Sequence, residues 1–213
     1  MSIFNKMLAS VGIGSATVDT KLEKSRYTAG EIIRGNVEVT GGNTAQDVDC
    51  IYLTLYTTYI REANDTKYTD TAAICKFKVS EPFTIGAGEK KAIPFSFEIP
   101  HTTPVTAGKT RIWVQTELDI KMAVDPTDKD FIEVNASPLA NEVLGAVKRL
   151  GFRLREVECE KAPLRLSTPH VFIQEFDLSI FPSKTNQSII ILTLHITHFN
   201  NQTRQTSKLP RPL

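Results

Sequence analysis

The chain has 213 residues, and 25 lysines and arginines against 24 aspartates and glutamates leave a formal charge of +1. That balance offers no basic excess to neutralise a nucleic-acid backbone, and 41% hydrophobic with 23% charged residues excludes a disordered charged tail as the main body. The length accommodates one large or two small domains.

Residues 1–14 read as a short amphipathic helix. Ser2 can cap it, Ile3, Phe4, Met7, Leu8 and Val11 recur at helical spacing, and Gly12 and Gly14 end it. With Lys6 as its one positive charge, the segment lacks the basic face that anionic lipids prefer, so docking on the protein's own core is favoured over peripheral membrane contact. Nothing in the chain approaches the run of about 18 apolar residues that spans a bilayer, and no basic region or A-x-A site makes a signal peptide of the start. Cys50, Cys75 and Cys159 are too far apart for a metal knuckle or a closed disulfide framework. A cytoplasmic location is expected.

From Thr17 the apolar period switches to two. Strands are expected at Thr17–Leu22, Ile32–Thr40, Val48–Ile60, Ala72–Val79, Ala92–Ile99 and Arg111–Val124, with glycines and prolines between them where turns need special φ. Ile112, Val114, Thr116, Leu118 and Ile120 alternate with Gln115, Glu117, Asp119 and Lys121, which gives one dry and one wet face. Asp125-Pro126-Thr127-Asp128 ends the run as a solvated turn before a short strand at Phe131–Val134. Ser137 then caps a helix that has Pro138 at its first position, Lys148-Arg149 in its last turn and Gly151 as stop. Strand patterns resume at Phe152–Glu160 and Val171–Asp177. The expected fold is therefore all-β. It has an N-terminal β-sandwich over residues 1–134, a connecting helix at 135–151, a second, incomplete sandwich at 152–199 and a disordered tail at 200–213. All 24 acidic residues fall at or before Asp177, while Lys184, Arg204, Lys208 and Arg211 follow it.

Catalytic signatures are missing from the sequence: there is no nucleophile elbow, phosphate loop or zinc helix. His195 and His198 would point to opposite faces of a strand, and Asp125, Asp128 and Asp130 depart from the spacing of a calcium loop. Glu117 and Asp119 share a face, but Lys121 continues it, so an ion-paired surface is expected rather than a catalytic pair. No enzymatic activity, cofactor or metal is expected.

The run Lys24-Ser25-Arg26-Tyr27-Thr28-Ala29-Gly30-Glu31-Ile32-Ile33-Arg34-Gly35-Asn36-Val37 resembles the second and third strands of arrestin-like domains, with their Y-x-x-G-E turn ahead of a strand carrying G-x-V. Further motifs are Phe4 through Gly14, Thr116-Glu117-Leu118-Asp119-Ile120, Asp125 through Asp130 and Leu150-Gly151-Phe152-Arg153-Leu154-Arg155. With these the chain is similar, over about Met1 to Phe176, to the bacterial sporulation-control protein family SpoOM. The resemblance implies two arrestin-like sandwiches and a regulatory or scaffold role in sporulation exerted through protein partners. The family pattern is followed at Gln174-Glu175-Phe176 and then lost, so a truncation or frame change after Asp177 and native divergence are both open. By analogy with arrestins, a polar interdomain seam is expected around Glu117, Asp119, Lys121, Asp128, Asp130, Arg153 and Arg155. Tyr52 and Tyr56 form a candidate partner ridge, with core packing as the other explanation. Edge strands offer a route to a homodimer. A carbohydrate-binding sandwich is the rival reading, although the one tryptophan, Trp113, lies inside a strand.

Overall fold

The computed structural model describes residues 14–121, 124–166, 168–180 and 190–195. The elements run β1 (Thr17–Leu22), β2 (Arg26–Thr28), β3 (Ile32–Thr40), β4 (Gln46–Ala63), β5 (Thr66–Lys78), β6 (Phe83–Ile85), β7 (Lys90–Glu98), β8 (Ile112–Ile120), β9 (Thr127–Asn135), α1 (Pro138–Arg149), β10 (Arg153–Lys161), β11 (Phe172–Ile180) and β12 (Ile190–His195).

Alternation builds a sandwich from these strands. β1, β3 and β7 form a three-stranded antiparallel sheet, and β4 carries the larger one, with β5 and β6 along one edge and β8, β9 and β2 beyond the other. Ile33, Val37 and Val39 of β3 and Phe95 and Phe97 of β7 face Ile51, Leu53 and Leu55 of β4 and Ile112, Val114 and Leu118 of β8 in one buried cluster. Phe77 stacks on Phe97 across the two sheets at 4.3 Å. Burying these side chains contributes roughly 1.5–3 kcal/mol each.

β4 is longer than the alternation at Val48–Ile60 implies, because a two-residue turn closes it onto β5. Asn64 and Asp65 have φ of 52° and 57°, and Ala63 pairs with Thr66. Both residues tolerate that conformation, as a hairpin turn of this twist requires. The hairpin tip extends past the end of β8, and there Ile60 pairs with Glu160 of β10 in parallel. β10, β11 and β12 thereby continue the larger sheet to nine strands.

Several strand limits differ from the periodic reading, those of β8 and β9 with a visible cause. β8 stops at Ile120, because the Asp125 carboxylate accepts from the Ile120 amide at 3.0 Å and folds the chain back. β9 begins at Thr127, so Asp128 and Asp130 are strand residues and not part of a solvated turn. β2 and β6, at three residues each, are too short to show a period.

The helix forms as its caps dictate. Ser137 Oγ accepts from the Ala140 amide at 3.3 Å, and Gly151, at φ 93°, ends the helix while the Phe152 amide reaches the Val147 carbonyl. Val147 and Leu144 pack with Phe152 on Val157, Phe176 and Leu178, making a small second cluster. The proposed N-terminal helix, residues 200–213 and His198 lie outside the described residues.

Candidate functional site

Alternation along β4 sends Tyr52 and Tyr56 to the side of the large sheet away from the core, and the neighbouring strands decide what meets them there. Tyr52 lies opposite Glu117 of β8, and Lys76 of β5 reaches across both, 4.0 Å above the Tyr52 ring and 3.4 Å from the Glu117 carboxylate. Tyr56 lies opposite Trp113 and stacks on it at 5.5 Å. Phe131 of β9 closes on Trp113 from the other side at 5.9 Å, and Lys129 sits 3.8 Å over the indole. Trp113 is consequently 4% exposed, whereas Phe131 is 57% exposed. The outer face is thus a row of aromatic rings roofed by cations, each contact adding about 0.5–1 kcal/mol at the surface. Tyr52 and Tyr56 belong to this face and not to the core cluster.

Further along the same face, Asp119 accepts from the Cys50 thiol at 3.8 Å, and Lys121 pairs with Asp49 at 3.1 Å. Asp128 and Asp130 point inward, between the two sheets. The Thr20 amide donates to Asp128 at 2.7 Å, and Thr20 and Thr116 share a hydroxyl–hydroxyl bond at 2.5 Å. One Asp130 oxygen is buried with no hydrogen-bond partner among the described residues. Burial, with the nearby charges of Asp128 and Asp19, pushes its pKa up to about 6. Arg153 and Arg155 are exposed at the start of β10. The seven residues expected at one seam are therefore divided among an outer sheet face, an inter-sheet layer and an exposed strand end.

Other residues hold the polar junction between β10–β11 and the first sandwich. Glu158, its side chain 8% exposed, receives Lys109 at 2.7 Å and Lys67 at 3.6 Å, and Lys109 also reaches Glu156 at 3.6 Å. The Lys109 ammonium is the main cause that holds the Glu158 carboxyl below its ordinary range. Gln174 is buried and bonds both the amide and the carbonyl of Val105 at 2.8 Å. Gly108 approaches the Val157 carbonyl so closely that a Cβ would collide with it, and its φ of 56° suits glycine. Beside this junction, His101, Thr102, Thr103, His170 and Phe172 help to line a cleft of about 50 Å³. His170 bonds Thr102 at 2.8 Å and stacks on Phe172, and burial holds its imidazole below the usual pKa.

Sequence reasoning missed Lys67, Lys109, Glu158 and Gln174. The available signals were weak: Asn64-Asp65 as a hairpin turn, which would have lengthened β4, and a glutamine inside an apolar strand run. Burial pushes the thiols of Cys75 and Cys159 up to about 11, so these two stay un-ionised near neutral pH. Among the described residues, no helix is long and apolar enough to cross a membrane.

Comparison with known proteins gives concordant results. A family model described as "SpoOM protein" matches residues 4–204. The chain is 46% identical over 178 residues to the "Sporulation-control protein spo0M" of Bacillus subtilis (strain 168), covering 83% of this chain and 68% of that protein. It is also similar to the crystal structure of Spo0M, sporulation control protein, from Bacillus subtilis. There the TM-score is 0.73 at 33% identity, covering 86% of this chain and 91% of that one.

Proposed function

The chain belongs to the SpoOM protein family, and from that premise we propose that it is a regulator of sporulation that acts by binding other proteins and catalyses no reaction. The observation that carries this reading is the outer face of the large sheet. Tyr52, Tyr56 and Phe131 present aromatic area on a rigid support, the residue type that protein interfaces concentrate at their centres. The un-ionised state of the Cys75 and Cys159 thiols supports the non-catalytic part.

In this reading the protein is cytoplasmic and arrestin-like, with bodies at 1–134 and 152–199 joined by the helix at 135–151. The outer edge of β5, which pairs with β4 alone among the described residues, is the proposed route to a homodimer. Carbohydrate binding is disfavoured, because the indole of Trp113 is roofed by Lys129 and Phe131 and cannot accept a sugar ring. Peripheral membrane contact rests on the segment before Gly14 and stands second.

The test is complementation in Bacillus subtilis cells lacking their own sporulation-control protein. This chain is expected to restore spore formation. Tyr52→Ala combined with Phe131→Ser is expected to lower spore counts about tenfold, the effect of losing about 1.4 kcal/mol of partner affinity. A folded double variant that complements as well as the parent chain removes the sheet face from the account.

A further inference from the structure

Four separate parts of the chain meet around the cleft beside the β10–β11 junction: residues 101–105 between β7 and β8, the start of α1, residues 168–170, and the first half of β11. At about 50 Å³ the space has room for roughly three waters. Val105, Phe172 and Phe176 help to make its wall apolar. Among the described residues that line it, none is an aspartate, glutamate, lysine or arginine.

Polar groups with unused bonding capacity collect at this wall. Thr103 is 5% exposed, and its buried hydroxyl has no hydrogen-bond partner among the described residues. An unpaired buried hydroxyl costs free energy, and at the wall of a cleft a bound acceptor removes that cost. His170 meets the Thr102 hydroxyl through Nε2 at 2.8 Å, and burial holds the ring neutral. With the Thr102 hydroxyl assigned as donor, the imidazole proton sits on Nδ1, and no described residue accepts it.

The start of α1 adds positive potential. Pro138 has no N–H, Ser137 Oγ accepts from the Ala140 amide and the Ser137 carbonyl from the Asn141 amide, which leaves the Leu139 amide open. No acidic side chain of the first turn occupies the positive end of the helix dipole. Ser137 and Ala140 both line the cleft, so that end of the helix belongs to its wall.

Donors with no competing carboxylate, an apolar wall and a small volume suit one class of ligand. We propose that this cleft binds a short-chain carboxylate, its oxygens accepting from the Thr103 hydroxyl and His170 Nδ1 and its alkyl group lying against Phe172 and Phe176. An inorganic anion would leave the apolar wall unused, and an alkane would leave the donors unpaired. A free acid of about two to four carbons and the C-terminal residue of a peptide ending in a small apolar side chain share this chemistry. The site shares no residue with the Tyr52–Phe131 face and does not rest on the protein-binding reading.

The test is a titration of the full chain at fixed pH, with ionic strength held constant by sodium chloride and binding followed by the amide and histidine-ring NMR signals. Propionate is expected to shift the Thr103 and His170 signals with a Kd of about 1 mM or tighter. Propionamide, of the same shape without the charge, is expected to bind roughly tenfold more weakly. Thr103→Val removes a hydroxyl that the fold itself does not pair, so it is expected to keep or raise stability while weakening propionate roughly tenfold. An acetylated tripeptide ending in alanine, with a free or an amidated C-terminus, separates the two sources. Tighter binding of propionate assigns the cleft to a free acid, and tighter binding of the free-ended peptide assigns it to a chain end. Equal affinity for propionamide, a folded Thr103→Val chain that binds propionate as tightly as its parent, or no shift with either carboxylate at about 50 mM overturns the proposal.

Discussion

Asp130 sits between the two sheets beside Asp128, with one buried oxygen unpartnered among the described residues and a pKa raised to about 6. An aspartate in the unfolded chain titrates near 3.9. The folded state therefore holds the proton more tightly, and this group favours folding below about pH 4 and loses that contribution as pH rises through about 6. Asp130→Asn keeps the shape and removes the charge. It is expected to raise stability at pH 7 by on the order of 1 kcal/mol, since solvent screens a carboxylate that is only half-buried, and to give no advantage at pH 4. Urea unfolding at the two pH values measures both effects, and an equal gain at each would point to a cause other than ionisation. The alternation of β9 is visible in the sequence, but the inward direction of Asp128 and Asp130 is not. A charged residue at an inward position reads locally as a turn, and the Thr20 amide that accommodates Asp128 lies 108 residues away.

β11 joins the first sandwich through Phe172, which packs in the main core cluster and stacks on Tyr59, and through the polar side chain of Gln174. Gln174 satisfies the Val105 amide and carbonyl together and also reaches Thr110 at 3.4 Å. Gln174→Ala leaves both backbone groups without that partner in a buried site, so a loss of about 2–3 kcal/mol is expected. Arg153→Ala, at an exposed strand end, is expected to stay within about 0.5 kcal/mol of the parent chain. Denaturant midpoints for the two variants test the contrast between the seam that was expected and the junction that is present. The helix, in contrast, was legible to the residue. Ser137, Pro138, Lys148-Arg149 and Gly151 act within one turn of the ends they define, and local signals of that kind survive any tertiary context.

Taken whole, the molecule is held across its length by β4, which supports the core of the first sandwich at one end and the parallel bridge to β10 at the other. The charges at that crossing are Lys67 and Lys109 on one side and Glu156, Glu158 and Glu160 on the other. Lys67→Glu with Lys109→Glu turns attraction into repulsion around a nearly buried carboxylate. Faster amide hydrogen exchange is expected across β10 and β11, with β3 and β7 unchanged. Uniform loss of protection, or none, would mean that the two ends of β4 do not respond separately. Membership of the SpoOM family places this architecture beside a relative from Bacillus subtilis named for control of sporulation.

By itself the sequence determined the all-β class, most of the strands and the helix with both its caps. Period-two alternation and capping chemistry act between residues a few positions apart, so they are written along the chain. The family was legible for a similar reason, since its motifs are contiguous runs such as Tyr27 through Val37. Only the tertiary structure decided which charged residues meet. Glu158 finds Lys67 and Lys109, and Gln174 finds Val105, across gaps of 49 to 91 positions. Such meetings depend on strand register and on a two-residue hairpin turn at Asn64-Asp65, and a one-residue slip in either would send the same side chains to the opposite face.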